Sequence, residues 1–176
     1  MFESFFPCKR IRSAYEIDYV DLYKNGCRAL IFDIDNTLVC HGAPQSEKSL
    51  PFLQNLMAMG FEILFLSNNK EPRVKSFNDP LGAKYIYKAG KPNPKNYVKA
   101  CELMGTDISS TVFIGDQLFT DIWGANKAGI YSILVGQIGK KEEIQIVLKR
   151  ILEKVVLAVY NRKLKKGTLK EKKYGK

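Results

Sequence analysis

The 176 residues include one histidine, one tryptophan and four cysteines. With His41 as the sole histidine, neither a histidine-rich metal centre nor a histidine-based triad is expected, and His41 itself reads as a rim or loop residue. Cys8, Cys27, Cys40 and Cys101 form no CxxC pair, and their gaps of 19, 13 and 61 positions fit neither a zinc site nor a redox motif. They read as reduced, partly buried thiols. No run reaches the roughly 18 uncharged apolar residues of a spanning helix; stretches such as 128–139 fall well short. The opening MFESFFPCKR lacks a basic start leading into an apolar run, so no secretory signal is expected and a cytoplasmic setting is the default.

What is there is ordinary in kind and uneven in placement. Hydrophobic residues make up 45% and charged residues 26%, which excludes collagen-like, fully disordered and disulfide-framework chains. The length suits one domain, enough to bury roughly 70% of the unfolded surface. The net charge of +10 is concentrated at one end. Residues 1–148 carry 17 basic and 16 acidic side chains, a net of +1, whereas 149–176 carry 11 basic and 2 acidic, a net of +9. A partner inferred from overall basicity therefore belongs to the C-terminal segment and not to the body.

Apolar runs alternate with amphipathic stretches. Residues 28–34 (RALIFDI), 61–66 (FEILFL), 84–87, 111–114 (TVFI) and 130–135 (IYSILV) read as strands buried on both faces. Between them, 47–59, 93–104 and 118–128 have helical spacing, with Gly60, Gly105 and Gly129 where helix ends are expected. This alternation predicts a three-layer, Rossmann-like α/β fold with a central five-stranded parallel sheet. In such sheets the site lies beyond the carboxyl ends of the strands, and three strands end in polar clusters: DIDNT, SNN and GDQ.

In the first cluster, Asp33 and Asp35 stand two apart on extended backbone and so point to the same side. Two adjacent carboxylates repel unless a cation lies between them or one is protonated. Asp116 and Asp121 add two acids at another strand end. Four acids with oxygen ligands only suit a hard cation such as Mg²⁺, and a carboxylate nucleophile beside Mg²⁺ implies phosphoryl transfer. Ser67, Asn68 and Asn69, with Lys91 before Pro92, supply donors for phosphoryl oxygens, although Lys88 lies three residues from Lys91. Each piece has a plainer reading: the acids could cap turns, Ser67 could cap a helix, and Asp121 could be a helix-start acid.

The four motifs in order, DIDNT, Ser67, Lys91 and GDxxxxD, resemble those of the haloacid dehalogenase-like (HAD) phosphohydrolases over residues 26–138. The resemblance implies Asp33 as nucleophile, Asp35 as the acid–base that protonates the leaving group and activates water, and Thr37 as support for the loop. It places Ser67, Asn68, Lys91 and Thr37 around the phosphate, with Mg²⁺ held by Asp33, Asp116 and the Asp35 carbonyl. Asp121 is expected behind them as a weaker metal partner. Residues 1–140 would be the phosphatase core, with 141–176 a C-terminal helix and basic tail, either appended or part of the same domain.

Only 29 positions separate Thr37 from Leu66, and only 23 separate Asn68 from Lys91, so no large cap domain fits and an open site is expected. The stretches SNNKEPRVKSFNDPLGAKYIYKAGKP and GDQLFTDIWGANKAG further resemble the YqeG-like class IIIA HAD phosphatases, a group similar to mitochondrial phosphatidylglycerophosphate phosphatases. That resemblance implies dephosphorylation of phosphatidylglycerophosphate to phosphatidylglycerol. A soluble sugar phosphate, nucleotide or phosphoprotein substrate stays open, as does a binding module with a vestigial site, though intact motifs argue against the last.

At the C-terminus, Ile144, Val147, Leu148, Ile151, Leu152, Val155 and Val159 recur at helical spacing, predicting an amphipathic helix over 141–162. Its stripe packs on the sheet or another subunit, or else lies on an anionic membrane ahead of the basic tail KLKKGTLKEKK. In the membrane reading the enzyme sits peripherally at the inner face. The tail has only Tyr160 and Tyr174 as nearby aromatics, which disfavours nucleic acid. Oligomeric state is left open.

Overall fold

Six parallel strands form one sheet in the order β1-β6-β5-β2-β3-β4. The structure, a computed structural model, describes residues 2–139 and 144–175. The strands are β1 (Lys9–Ile11), β2 (Ala29–Phe32), β3 (Glu62–Leu66), β4 (Lys84–Ile86), β5 (Thr111–Gly115) and β6 (Tyr131–Val135). The helices are α1 (Tyr19–Lys24), α2 (Ser49–Ala58), α3 (Glu71–Asn78), α4 (Lys95–Met104), α5 (Trp123–Ala128) and α6 (Ile144–Lys165). The expected five strands are all present. The sixth, β1, escapes sequence reading because it is an edge strand of three residues, Lys-Arg-Ile, with two side chains in solvent.

The continuous apolar character of β2 follows from burial on both sides. Leu30 and Phe32 pack with Leu53 and Leu56 of α2 and with Val74 and Phe77 of α3. Ala29 and Ile31 face the opposite layer, against Tyr97 and Ala100 of α4 and Ala125 of α5. Each large side chain removed from water in this way stabilises the fold by about 1.5–3 kcal/mol. Gly105 ends α4 with φ 66°, the left-handed conformation that glycine adopts without strain.

The winding reverses at β2. One half runs outward from β2 to β3 and β4, the other from β5 to β6. This switch point sets the end of β2 beside the end of β5, in register from Ala29↔Thr111 to Phe32↔Ile114. No inserted cap interrupts the fold among the described residues: loop 33–48 joins β2 to α2, and loop 67–70 joins β3 to α3.

The described part of the C-terminal helix turns most of its predicted apolar stripe away from the sheet, one of the placements left open for it. Its predicted start at Lys141 lies outside the described residues, as do the side chains of Ile144, Val147 and Leu148. Of the rest of the predicted stripe, Ile151, Leu152 and Val155 are exposed, and only Val159 is half-buried against the body. The inward face is instead Glu153, Val156 and Tyr160, with the two apolar residues packed on Phe6, Leu118, Ile122 and Leu134. The basic tail then folds back onto the body. Lys172 N donates to Cys8 O (2.9 Å), Tyr174 Oη donates to Ser109 O (2.6 Å), and the Tyr174 ring meets Tyr131 edge-on.

The α4–α5 contact beneath the site depends on close approach. Tyr97 Oη donates to Thr120 O (2.8 Å) and lies where a Cβ on Gly124 would come within 2.3 Å. Gly124→Ala should therefore force Tyr97 aside and cost about 1–3 kcal/mol of stability. Chemical denaturation checks this; a variant as stable as the wild type would show that the contact can relax freely.

Candidate active site

The end of each strand delivers one element of the site. Asp33 continues from β2, its N donating to Ile114 O of β5 (3.0 Å). Asp116 follows β5, and a π-helical turn, Leu118–Ile122, brings Asp121 back over Gly115. That return requires glycine, since a Cβ at Gly115 would lie 2.5 Å from Asp121 Oδ2. The same Asp121 oxygen accepts the amides of Asp116 (3.1 Å) and Gln117 (3.0 Å). Lys91, from the loop after β4, lies between two acids, its Nζ 2.9 Å from Asp33 Oδ1 and 2.6 Å from Asp121 Oδ1. All four side chains are buried, whereas Lys88 is exposed.

The remaining expected residues divide into those that meet this cluster and those that support it. Thr37 Oγ1 donates to Asp116 Oδ1 (3.1 Å), tying the DIDNT loop to β5. Asn68 has both ends of its amide on the Lys91 backbone: Lys91 N donates to its Oδ1 (2.8 Å), and its Nδ2 donates to Lys91 O (3.2 Å). Ser67 is buried, its Oγ accepting Asn69 N (3.1 Å). Asp35 stands apart from the other acids, its Oδ1 accepting Gly42 N (2.7 Å) and Arg73 (2.9 Å) and its Oδ2 accepting Asn69 Nδ2 (2.7 Å). Asn36, between Asp33 and Thr37, holds φ 63°, a left-handed conformation that asparagine tolerates better than most residues. His41 is exposed on the rim.

Two further residues reach the site from α6. Arg150 binds the Asp116 carbonyl through NH1 (2.6 Å) and the Asp116 carboxylate through NH2. Glu153 accepts Arg150 NH1 (3.0 Å) and also Leu118 N (2.7 Å), fixing the loop that carries Asp116 and Asp121. The signal for this was present but slight: Glu153 is one of two acids in the strongly basic segment, three residues from Arg150. Arg73 had no such signal.

The electrostatics are those of acids crowded out of water. Burial raises the Asp33 carboxyl well above its ordinary value, Lys91 opposes this, and Asp121 and Asp116 add to it. Burial, then Asp121, pushes Asp116 up to about 7 against the pull of Arg150 and Thr37. Burial alone would lower the Lys91 ammonium, but Asp121 and Asp33 together raise it above its usual value. Asp33, Asp116 and Asp121 each offer a carboxylate oxygen within 4.8 Å of the others. Such an all-oxygen donor set, with more negative charge than the fixed lysine cancels, fits a hard divalent cation.

A parallel sheet with this switch point, a buried lysine bridging two acids, and Asp33 and Asp35 on one loop define a HAD phosphatase, and the chain belongs to that superfamily. Residues 88–154 match the HAD-hydrolase-like family model. Within the superfamily its place is with the YqeG-like phosphatases. It is 33% identical over 160 residues to the probable phosphatase YqeG of Bacillus subtilis (strain 168), covering 90% of this chain and 93% of that protein. It is also 26% identical over 174 residues to phosphatidylglycerophosphate phosphatase 1, chloroplastic/mitochondrial, of Arabidopsis thaliana, covering 92% of this chain and 49% of that longer protein. Among solved structures, an uncharacterized protein from Listeria monocytogenes serotype 4b has the same fold, with a TM-score of 0.52 at 16% identity over 66% of this chain and 84% of that one.

Lys91→Met removes the ammonium from among the buried acids and should cost about 3–5 kcal/mol near neutral pH. The sign with pH is fixed by the raised Asp33 and Asp116 values. The folded chain then binds these protons more tightly than the unfolded chain does, so the loss grows as pH rises from the ordinary carboxylate range through about 7. Denaturant unfolding of the variant at acid and at mildly alkaline pH measures it; stability independent of pH would contradict the assignment.

Proposed function

We propose that this phosphatase is a Mg²⁺-dependent phosphomonoester hydrolase that works through an aspartyl-phosphate on Asp33. The observation that carries this reading is Asp33 itself, buried and oriented by Lys91, with Asp35 two residues on, on the same loop. An Asp33 oxygen attacks phosphorus while the leaving-group oxygen takes a proton from Asp35. Asp35, returned to carboxylate, then removes a proton from the water that attacks the acyl-phosphate and releases phosphate. Lys91 counters the charge on the transferring phosphoryl group, with the Ser67 hydroxyl and Thr37 beside it. Asn68 contributes by clamping the Lys91 backbone at the same phosphate-binding end. Asn69, Arg73 and the Gly42 amide hold Asp35 in place between the two proton transfers.

Asp33, Asp116 and the Asp35 backbone carbonyl would hold Mg²⁺, with Asp121 behind them. Bound there, the ion supplies positive charge that screens the acids and the phosphoryl oxygens.

For the substrate we favour phosphatidylglycerophosphate, converted to phosphatidylglycerol at the inner face of a membrane with the basic C-terminal segment toward anionic lipid. The absence of an inserted cap among the described residues supports a substrate too large to be enclosed, and the named activity of the Arabidopsis relative supports this lipid in particular. No helix among the described residues is long and apolar enough to cross a membrane, so contact would be peripheral.

Phosphate release from phosphatidylglycerophosphate in detergent micelles, compared with sugar phosphates and nucleotides, tests the substrate. Faster turnover of a soluble ester would replace the lipid reading. In the same assay Asp33→Asn should abolish turnover, because an amide cannot form the acyl-phosphate. Asp35→Asn should slow it about 10²–10⁴-fold through lost proton transfer. Retained activity in either variant overturns that residue's role. Chelator should abolish activity, and Mg²⁺ should restore it.

A further inference from the structure

The two sides of α6 do different things. At about 100° per residue, Ile151, Val155 and Arg162 fall on one stripe, flanked by Leu152 on one side and Lys154 on the other. Ile151, Leu152 and Val155 are 56%, 60% and 54% exposed, side by side on a helix that buries Glu153, Val156 and Tyr160 on its opposite face. Three clustered branched apolar side chains in water are costly unless something covers them.

The charge around them says what that cover is. Residues 149–176 carry a net of +9, and Lys154, Arg162 and Lys165 are exposed along the same helix. A second copy docking here would bring +9 against +9. A nucleic acid would answer the charge but leave the apolar residues without a partner. An anionic lipid surface answers both, with acyl and glycerol groups for the apolar trio and headgroup phosphates for the cations.

The position is as informative as the chemistry. Arg150, the residue before Ile151, binds Asp116, so the apolar trio starts at the site and extends about one helical turn away. Ile138, also exposed, is tethered to the catalytic loop through Ile138 N and Asn36 O (3.0 Å). We propose that the outward stripe of α6, centred on Ile151, Leu152 and Val155, is the surface by which this phosphatase rests on an anionic bilayer. In that pose the helix whose inward side holds the Asp116 loop through Arg150 and Glu153 is the one that rests on the lipid. The proposal rests on the lipid reading of the substrate for its purpose but is tested apart from it.

The test compares the full chain with the triple variant Ile151→Ser, Leu152→Ser, Val155→Ser by co-sedimentation with vesicles of phosphatidylcholine, with and without phosphatidylglycerol. The wild type should bind the anionic vesicles in preference, and the variant should bind them about tenfold more weakly or worse. Its thermal midpoint should be unchanged, and its turnover of a soluble aryl phosphate should stay within about twofold of the wild type, since these side chains touch nothing catalytic. A second variant, Lys154→Glu with Arg162→Glu, should lose binding at low salt and differ little from wild type at high salt. Equal binding by wild type and triple variant overturns the proposal, as does equal binding to neutral and anionic vesicles. A wild-type dimer that the triple variant converts to monomer, seen by sedimentation velocity, also overturns it and gives the face to a second copy. If the triple variant loses vesicle binding although the wild type cannot hydrolyse the lipid phosphate, the surface stands and the substrate reading falls. Hydrolysis of micellar lipid with vesicle binding unaffected by the substitutions gives the reverse.

Discussion

A lysine ammonium buried between two carboxylates is the interaction on which this molecule turns. Lys91 reaches Asp33 and Asp121 from opposite ends of the sheet's reversal, one acid following β2 and the other folded back after β5. Without it, Asp33 and Asp121 would lose the cation that pairs with both, and an unpaired buried carboxylate costs several kcal/mol. The surrounding structure works to keep the lysine there. Asn68 clamps its backbone, Gly115 leaves room for Asp121, and Tyr97 braces the π turn from below. The cluster's three carboxylates outnumber the two cations that pair with them, Lys91 and Arg150, an all-oxygen arrangement that suits a hard divalent cation.

The same constraint gives the C-terminal helix its importance. α6 packs against the body through Val156 and Tyr160, but its polar contacts with the site run through Arg150 and Glu153. Both stabilise the loop after β5 from outside the sheet. The clustered acids are therefore held by three layers at once: the strand ends, the crossover loops, and a helix that follows the last strand.

Much of this was legible in the sequence because the motifs are short, local and placed where apolar strands stop abruptly at polar residues. DIDNT after ALIF and GDQ after TVFI could be read as strand ends without knowing how the strands pair. Other features were hidden for physical reasons. β1 is a basic tripeptide at an edge, where exposure erases the apolar signal. α3 is short, with a proline at its second position, and buries only Val74, Phe77 and Asn78, so its periodicity is faint. In α6 both faces carry apolar residues, and of the described part of the stripe that periodicity picks, Ile151, Leu152 and Val155 lie outside while Val159 is half-buried. The partnership of Arg150 with Asp116, 34 positions apart, has no local signature. Nor does the attachment of the basic tail to Cys8 and Ser109, which composition alone would leave in solvent.

The central claim is that this buried, lysine-held Asp33 is the atom donor that takes the phosphoryl group. Mass spectrometry after rapid acid quench of the working enzyme with an aryl phosphate tests it directly. The account predicts the added mass of one phosphoryl group on the peptide containing Asp33, present during turnover and absent from Asp33→Asn. A phosphoryl group on any other residue, or sustained turnover with no covalent species on Asp33, would contradict it.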